Sequence, residues 1–132
     1  TFSDFENLVK MIKRKEDYQK RILIRYADTI KAVDIKDVAY FYTESKINIL
    51  CCFDKTTFPI DFNLDQMEAM VDPAVFFRIN RQFIVNVNAI KSMVSYSKSR
   101  VKLILNPASD IETVVSTERS PQFKTWLTGT HV

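Results

Sequence analysis

Six basic residues, Arg78, Arg81, Lys91, Lys98, Arg100 and Lys102, fall in a run from Pro73 to Ser109 that contains no Asp or Glu. Asn80, Gln82, Asn86 and Asn88 are interleaved with them. This mixture suits contact with a polyanion, because guanidinium and ammonium groups neutralise phosphates while side-chain amides can read base edges. The bias extends beyond the run. Residues 1–74 hold 11 basic and 13 acidic residues, whereas residues 75–132 hold 8 and 3, so a net charge of +3 conceals a basic C-terminal part. A near-neutral chain with one basic portion predicts one charged face instead of a general coating.

Other chemistries lack their residues. Gly129 is the single glycine, which removes phosphate-cradling glycine loops and strained nucleophile elbows. His131 is the single histidine and lies in the terminal tail, which disfavours His-dependent triads and zinc sites. Carboxylates are plentiful, but none pairs in a motif that specifies catalysis, so the chain reads as a non-enzyme without a cofactor or metal. No apolar run approaches the roughly 18 residues of a membrane span. Cys51 and Cys52 are adjacent. On a strand their Cβ atoms point to opposite faces, so the expectation is two reduced thiols in a cytoplasmic protein.

The elements that must position the basic residues are short. Ser3-Asp4-Phe5-Glu6 is a capping box, and Phe5, Leu8, Val9 and Ile12 form one helical stripe, which predicts a helix ending near Lys15. We expect residues 1–20 to be a linker from an upstream domain and residues 21–132 to be the domain proper. Strands are expected around Ile22–Tyr26, Ile30–Val33 and Asp37–Tyr42, and from Ile47, where Ile47, Ile49, Cys51 and Phe53 alternate with Asn48, Leu50 and Cys52. Asn63-Leu64-Asp65-Gln66 predicts a capped helix with Leu64, Met67 and Val71 on one face, ended by Asp72-Pro73. A strand at Phe76–Ile79, a hairpin of 93–96 with 101–105, and a last strand at Asp110–Val115 follow. Ser120-Pro121 then opens a helix that turns Phe123, Trp126 and Leu127 inward and stops at Gly129. Many short strands with brief helices predict a mainly β domain.

Three segments of this succession resemble the LytTR DNA-binding domain of bacterial response regulators. Asp37-Val38-Ala39-Tyr40-Phe41 is similar to that family's early strand, and Phe76-Phe77-Arg78-Ile79-Asn80-Arg81-Gln82-Phe83-Ile84-Val85-Asn86 to its central motif. Val115-Ser116, followed by a basic segment and an aromatic helix, resembles its closing motif. The likeness covers about residues 20–128, and the forms of the central motif and of Phe123-Lys124-Thr125-Trp126-Leu127 are similar to members from Bacteroidetes. It implies an elongated β-sheet fold of about ten strands that meets DNA through loops. It further implies the output domain of a two-component regulator of transcription, with a receiver domain upstream. Such a domain would be mostly monomeric alone and would pair on imperfect promoter repeats.

Carried onto this chain, the family's DNA-facing points fall in three places. The first is Lys46 and Asn48 before the strand at Ile47. The second is Asn80 and Arg81, with Arg81 suited to bidentate donation to guanine. The third is Ser116 and Arg119. Here the chain departs from the family, because Thr117 and Glu118 stand where Arg or Lys is common, and Glu118 repels phosphate. Arg78 has two readings, a phosphate contact or a cover for a strand face. Lys98 and Arg100 read equally as a flanking phosphate contact or a solvated turn. Asn86 and Asn88 suit local turn bonding. Two other functions compete: a protein- or ligand-binding module that has kept the fold without DNA affinity, and a single-stranded RNA binder stacking bases on Tyr40, Tyr42 and Tyr96.

Overall fold

The computed structural model describes residues 18–129, apart from the side chain of Lys98. The helix expected at Ser3 to Lys15 lies outside the described residues. Among the described residues nine strands form three antiparallel sheets: β1 (Arg21–Tyr26), β2 (Thr29–Asp34), β3 (Val38–Glu44), β4 (Ile47–Cys52), β5 (Thr57–Ile60), β6 (Phe76–Arg78), β7 (Phe83–Asn86), β8 (Ile90–Ser95) and β9 (Val101–Leu105). The middle sheet has the order β5-β4-β3-β7-β6, flanked by the two-stranded ribbons β1-β2 and β8-β9. Helix α1 (Leu64–Met70) links β5 to β6, and α2 (Ser120–Leu127) ends the domain. The chain is mainly β, as its short alternating segments predict.

Two cores lie on opposite faces of the middle sheet. Ile22, Ile24 and Val33 of the first ribbon pack with Phe41, Leu50, Phe58, Met67 and Ile84. On the other face, Tyr40, Phe83 and Val85 pack with Leu103, Leu105, Val115, Phe123 and Trp126. Strand β7 therefore sends Ile84 into one core and Phe83 and Val85 into the other. Each fully buried side chain of this kind contributes roughly 1.5–3 kcal/mol, and together they fix the register in which β3 pairs Tyr42 with Phe83 and Tyr40 with Val85.

Local chemistry sets the element ends. Asn63 Oδ1 accepts from the Gln66 amide at 2.8 Å, and Gln66 Oε1 accepts from the Asn63 amide at 2.9 Å, the reciprocal capping box that opens α1. Leu64, Met67 and Val71 are buried beneath it. Pro121 sits in the first turn of α2. Its Phe123 and Trp126 rings pack on Phe77 at 5.6 and 5.2 Å, and Trp126 Nε1 donates to the Pro73 carbonyl at 2.7 Å. Ser45 and Lys46 both have positive φ, 52° and 67°, as a two-residue type I′ hairpin turn between β3 and β4 requires.

Two sequence expectations need correction. The alternation assigned to β4 fails at both ends, since Ile47 is 53% and Phe53 37% exposed, while Leu50 and Cys52 face the first core and Cys51 the second. A strand in the middle of three layers is buried on both faces, which a half-buried pattern does not describe. Both thiols are free and buried, on the opposite faces expected of neighbours. The second correction concerns Asp110–Val115, which forms a single bridge, Val114 with Lys102, instead of a strand. The Thr113 carbonyl and Val115 amide do bond β9, but Ile111 is turned by the Ser109 hydroxyl and the Ser116 amide leaves to bond Ile79.

Candidate nucleic-acid interface

The three segments singled out from sequence meet at one end of the middle sheet. Antiparallel pairing puts the β3–β4 turn beside the β6–β7 turn, because Glu44 pairs with Ile47 and Tyr42 with Phe83. The contact is doubled where the Thr43 amide donates to the Gln82 carbonyl at 3.1 Å and Gln82 Nε2 donates to the Thr43 carbonyl at 2.9 Å. The third segment joins from the other side. Asn80 Nδ2 donates to the Val114 carbonyl at 2.8 Å, and the Ser116 amide to the Ile79 carbonyl at 2.9 Å. The Val115 amide bonds the Val101 carbonyl at 3.0 Å, which brings the β8–β9 turn and Arg100 alongside.

Within this surface the polar residues divide by what their side chains already do. Arg81 and Lys46 are exposed and carry no acidic partner among the described residues. Asn48 is half-buried near the start of β4. Asn80 is committed to the protein: besides its bond to Val114, its Oδ1 accepts from the Gln82 and Phe83 amides at 2.7 and 2.9 Å. It shapes the turn that carries Arg81. Asn86 does the same one strand-length away, accepting from the Asn88 amide and donating to the Val38 carbonyl from a buried position.

Arg78 is resolved in favour of neither sequence reading. It is 8% exposed, so it neither reaches for phosphate nor covers an open strand face. Its Nε donates to the Asn80 carbonyl and its Nη2 to the Arg81 carbonyl, both at 2.8 Å. Its Nη1 bonds Asp65 at 2.9 Å and Glu68 at 3.3 Å. A buried guanidinium must be paired and hydrogen-bonded in this way, because an unpaired one is strongly destabilising. Sequence reasoning missed both carboxylates, although their spacing on α1 puts Asp65 and Glu68 on one face.

Arg119 is partly engaged. Its Nη1 lies 3.4 Å from the Arg78 carbonyl and 3.9 Å from Glu68 Oε2, leaving the rest of the guanidinium accessible. Ser116 Oγ is buried and unpartnered, while its carbonyl accepts from the Ser120 hydroxyl. Thr117 and Glu118 are exposed beside it. Arg100 folds over the Tyr96 ring at 5.2 Å with its Nη2 on Ser97. The aromatic platform imagined for RNA is absent at its first member. Tyr40 is buried against Phe83, and Tyr42 stacks on the same ring. Burial raises both hydroxyls above the usual tyrosine value, Tyr40 the more strongly. Among the described residues no group of His, Cys, Asp or Glu is arranged to hold a metal ion, and no helix is long and apolar enough to cross a membrane.

Comparison with known proteins agrees with this geometry. No curated protein matches the chain. Among solved structures, the fold superposes with a TM-score of 0.72 on the LytTr DNA-binding domain of a Bacillus cereus protein assigned as a methyl-accepting/DNA response regulator. The two share 23% identity over 83% of this chain and 97% of that one. The family model for the LytTr DNA-binding domain matches residues 28–128, a span holding all three clustered loops, and the chain therefore belongs to the LytTR family of DNA-binding domains.

Proposed function

We propose that the loop-bearing end of the middle sheet binds double-stranded DNA sequence-specifically, as the output domain of a two-component response regulator acting on transcription in the cytoplasm. The observation that carries this reading is the convergence of the β3–β4 turn, the β6–β7 turn and residues 114–119, with Arg81 and Lys46 exposed and unpaired among the described residues. The scale is suitable. The two turns are centred two strand spacings apart, about 10 Å, and a major groove is about 12 Å wide. In this reading Arg81 donates to a guanine edge, Asn48 reads a neighbouring base, and Lys46, Arg119, Arg100 and Lys98 meet phosphates, whereas Ser116, its hydroxyl buried and its amide bonded to Ile79, supports the segment from inside. Residues 1–20 would join the domain to a receiver upstream. The domain alone would be monomeric and would pair on adjacent imperfect repeats, with receiver dimerisation raising local concentration.

Selection from random duplexes, followed by anisotropy titration at several salt concentrations, tests the reading. An enriched repeat is expected, with affinity falling by about 0.9 log units per log unit of salt for each phosphate contacted. No enrichment even at low salt would favour a module that has kept the fold and binds a protein or small ligand instead. Light scattering showing a tight dimer without DNA would contradict the pairing scheme.

A further inference from the structure

Asp65 and Glu68 are carboxylates within reach of a surface read as DNA-binding, where negative charge should be harmful. Their geometry gives them a use. Both bond Nη1 of the buried Arg78, whose other two donor positions hold the carbonyls of Asn80 and Arg81. Glu68 also reaches Arg119 with its second oxygen, and Arg119 returns to the Arg78 carbonyl. One guanidinium thus ties α1 to the turn that presents Arg81, and one carboxylate ties α1 to the segment after Ser116.

We propose that Arg78 is a positioning residue, anchored by Asp65 and Glu68, which holds Arg81 and Arg119 in fixed relation so that both engage one duplex. The proposal rests on the DNA-binding reading above. Geometry favours it over direct contact, since all three nitrogens of the buried Arg78 already donate inside the protein. Only a planar fork can serve two carbonyls and a carboxylate pair at once; a lysine ammonium keeps the charge and loses that geometry. Asp65 is 87% exposed, so its worth lies in orienting Arg78 and little in its own burial.

The test uses two variants with different liabilities. Arg78→Lys preserves charge. Asp65→Ala with Glu68→Ala places good helix formers at exposed sites and removes two negative charges. Each is titrated against the selected site and against random duplex. A positioning role lowers the ratio of the two affinities by roughly tenfold, the scale of one good base contact, while binding to random duplex stays level or tightens. It also makes Arg78→Lys cost much less in an Arg81→Ala background, because the contact through Arg81 is shared and only the one through Arg119 is left to lose. A simple electrostatic role predicts the opposite for the double variant, tighter binding to both duplexes with an unchanged ratio. Additive losses in the Arg78–Arg81 cycle overturn the proposal.

Hydrogen exchange in the free protein separates this proposal from the reading it rests on. Exchange at the Gln82, Phe83 and Ser116 amides should quicken in both variants, with Leu50 and Ile84 unchanged. Unchanged loop exchange removes the clamp whatever the DNA result. Faster exchange in a protein whose wild type selects no site leaves the clamp standing and removes the DNA function.

Discussion

Replacing Asn80 with alanine tests whether this residue builds the interface or reads DNA. The side chain accepts from two backbone amides, Gln82 at 2.7 Å and Phe83 at 2.9 Å, and donates to the Val114 carbonyl at 2.8 Å. A net contribution near 1 kcal/mol per bond, partly offset by water reaching a half-buried site, gives a loss of about 2–3 kcal/mol. For a domain of this size that lowers Tm by roughly 8–12 °C. Trp126, the sole tryptophan, packs in the second core and reports urea unfolding by its fluorescence. The midpoint should fall with an unchanged slope, meaning that stability changed and the unfolded state did not. Asn80→Asp keeps both acceptor bonds and loses only the donor, so its loss should be the smaller. If Asn80→Ala unfolds with the wild-type midpoint yet loses DNA sequence preference, the side chain reads bases and the hydrogen-bond account is wrong. The aspartate being worse than the alanine would also sink the accounting.

Arg81→Ala should weaken binding to the selected site by about 1–3 kcal/mol and relax preference at one base position, with little change in salt slope; full retention of sequence preference in titrations refutes its central role. Changing Ser45-Lys46 to Asn-Gly should stabilise the fold by about 1–2 kcal/mol, because the left-handed positions then hold a residue that tolerates them and one with no Cβ, while DNA affinity falls uniformly and the salt slope drops by about 0.9. Phe123→Ala, at a site 1% exposed between Phe77 and Trp126, should cost about 3–5 kcal/mol in urea unfolding. Burial pushes the Cys52 thiol from 9.0 up to about 11, and Asp54 nearby adds to it. The folded state therefore keeps this proton longer than the unfolded state. The resulting stabilisation is complete below pH 9 and is lost as pH rises through 11. Buried Tyr40 shifts in the same direction. The urea midpoint should decline across that interval, and a rising midpoint would refute the assignment.

Local signals were legible in the sequence wherever one face or one bond decided the outcome. The Asn63–Gln66 box, the Pro121 helix start and the β8–β9 hairpin each rest on residues within a few positions of one another. The half-buried pattern misreads β4 because its burial depends on ribbons from distant parts of the chain covering both faces. The strand expected at Asp110–Val115 fails for a related reason. Its backbone groups are claimed in turn by β9, by the Ser109 hydroxyl and by Ile79, and that competition has no sequence period.

The basic run was the strongest site signal, and its weakness is instructive. A stretch free of acid in sequence is not free of acid in space. Arg78 is met by Asp65 and Glu68, 13 and 10 residues upstream, and Lys102 by Glu112 at 3.7 Å. Counting cations in the run therefore overstates the charge it offers a ligand. The converse holds for Arg81, whose backbone is fixed by Arg78 and Asn80 while its own side chain stays open. Of three consecutive polar positions in the central motif's turn region, the structure spends Asn80 and Gln82 on backbone bonds and leaves the one between them outward. A turn braced on both sides loses little further entropy when it is held against a groove, so the internal bonds of Arg78, Asn80 and Gln82 lower the ordering cost of binding through Arg81. The residues that never touch a ligand thereby determine how well the exposed one can.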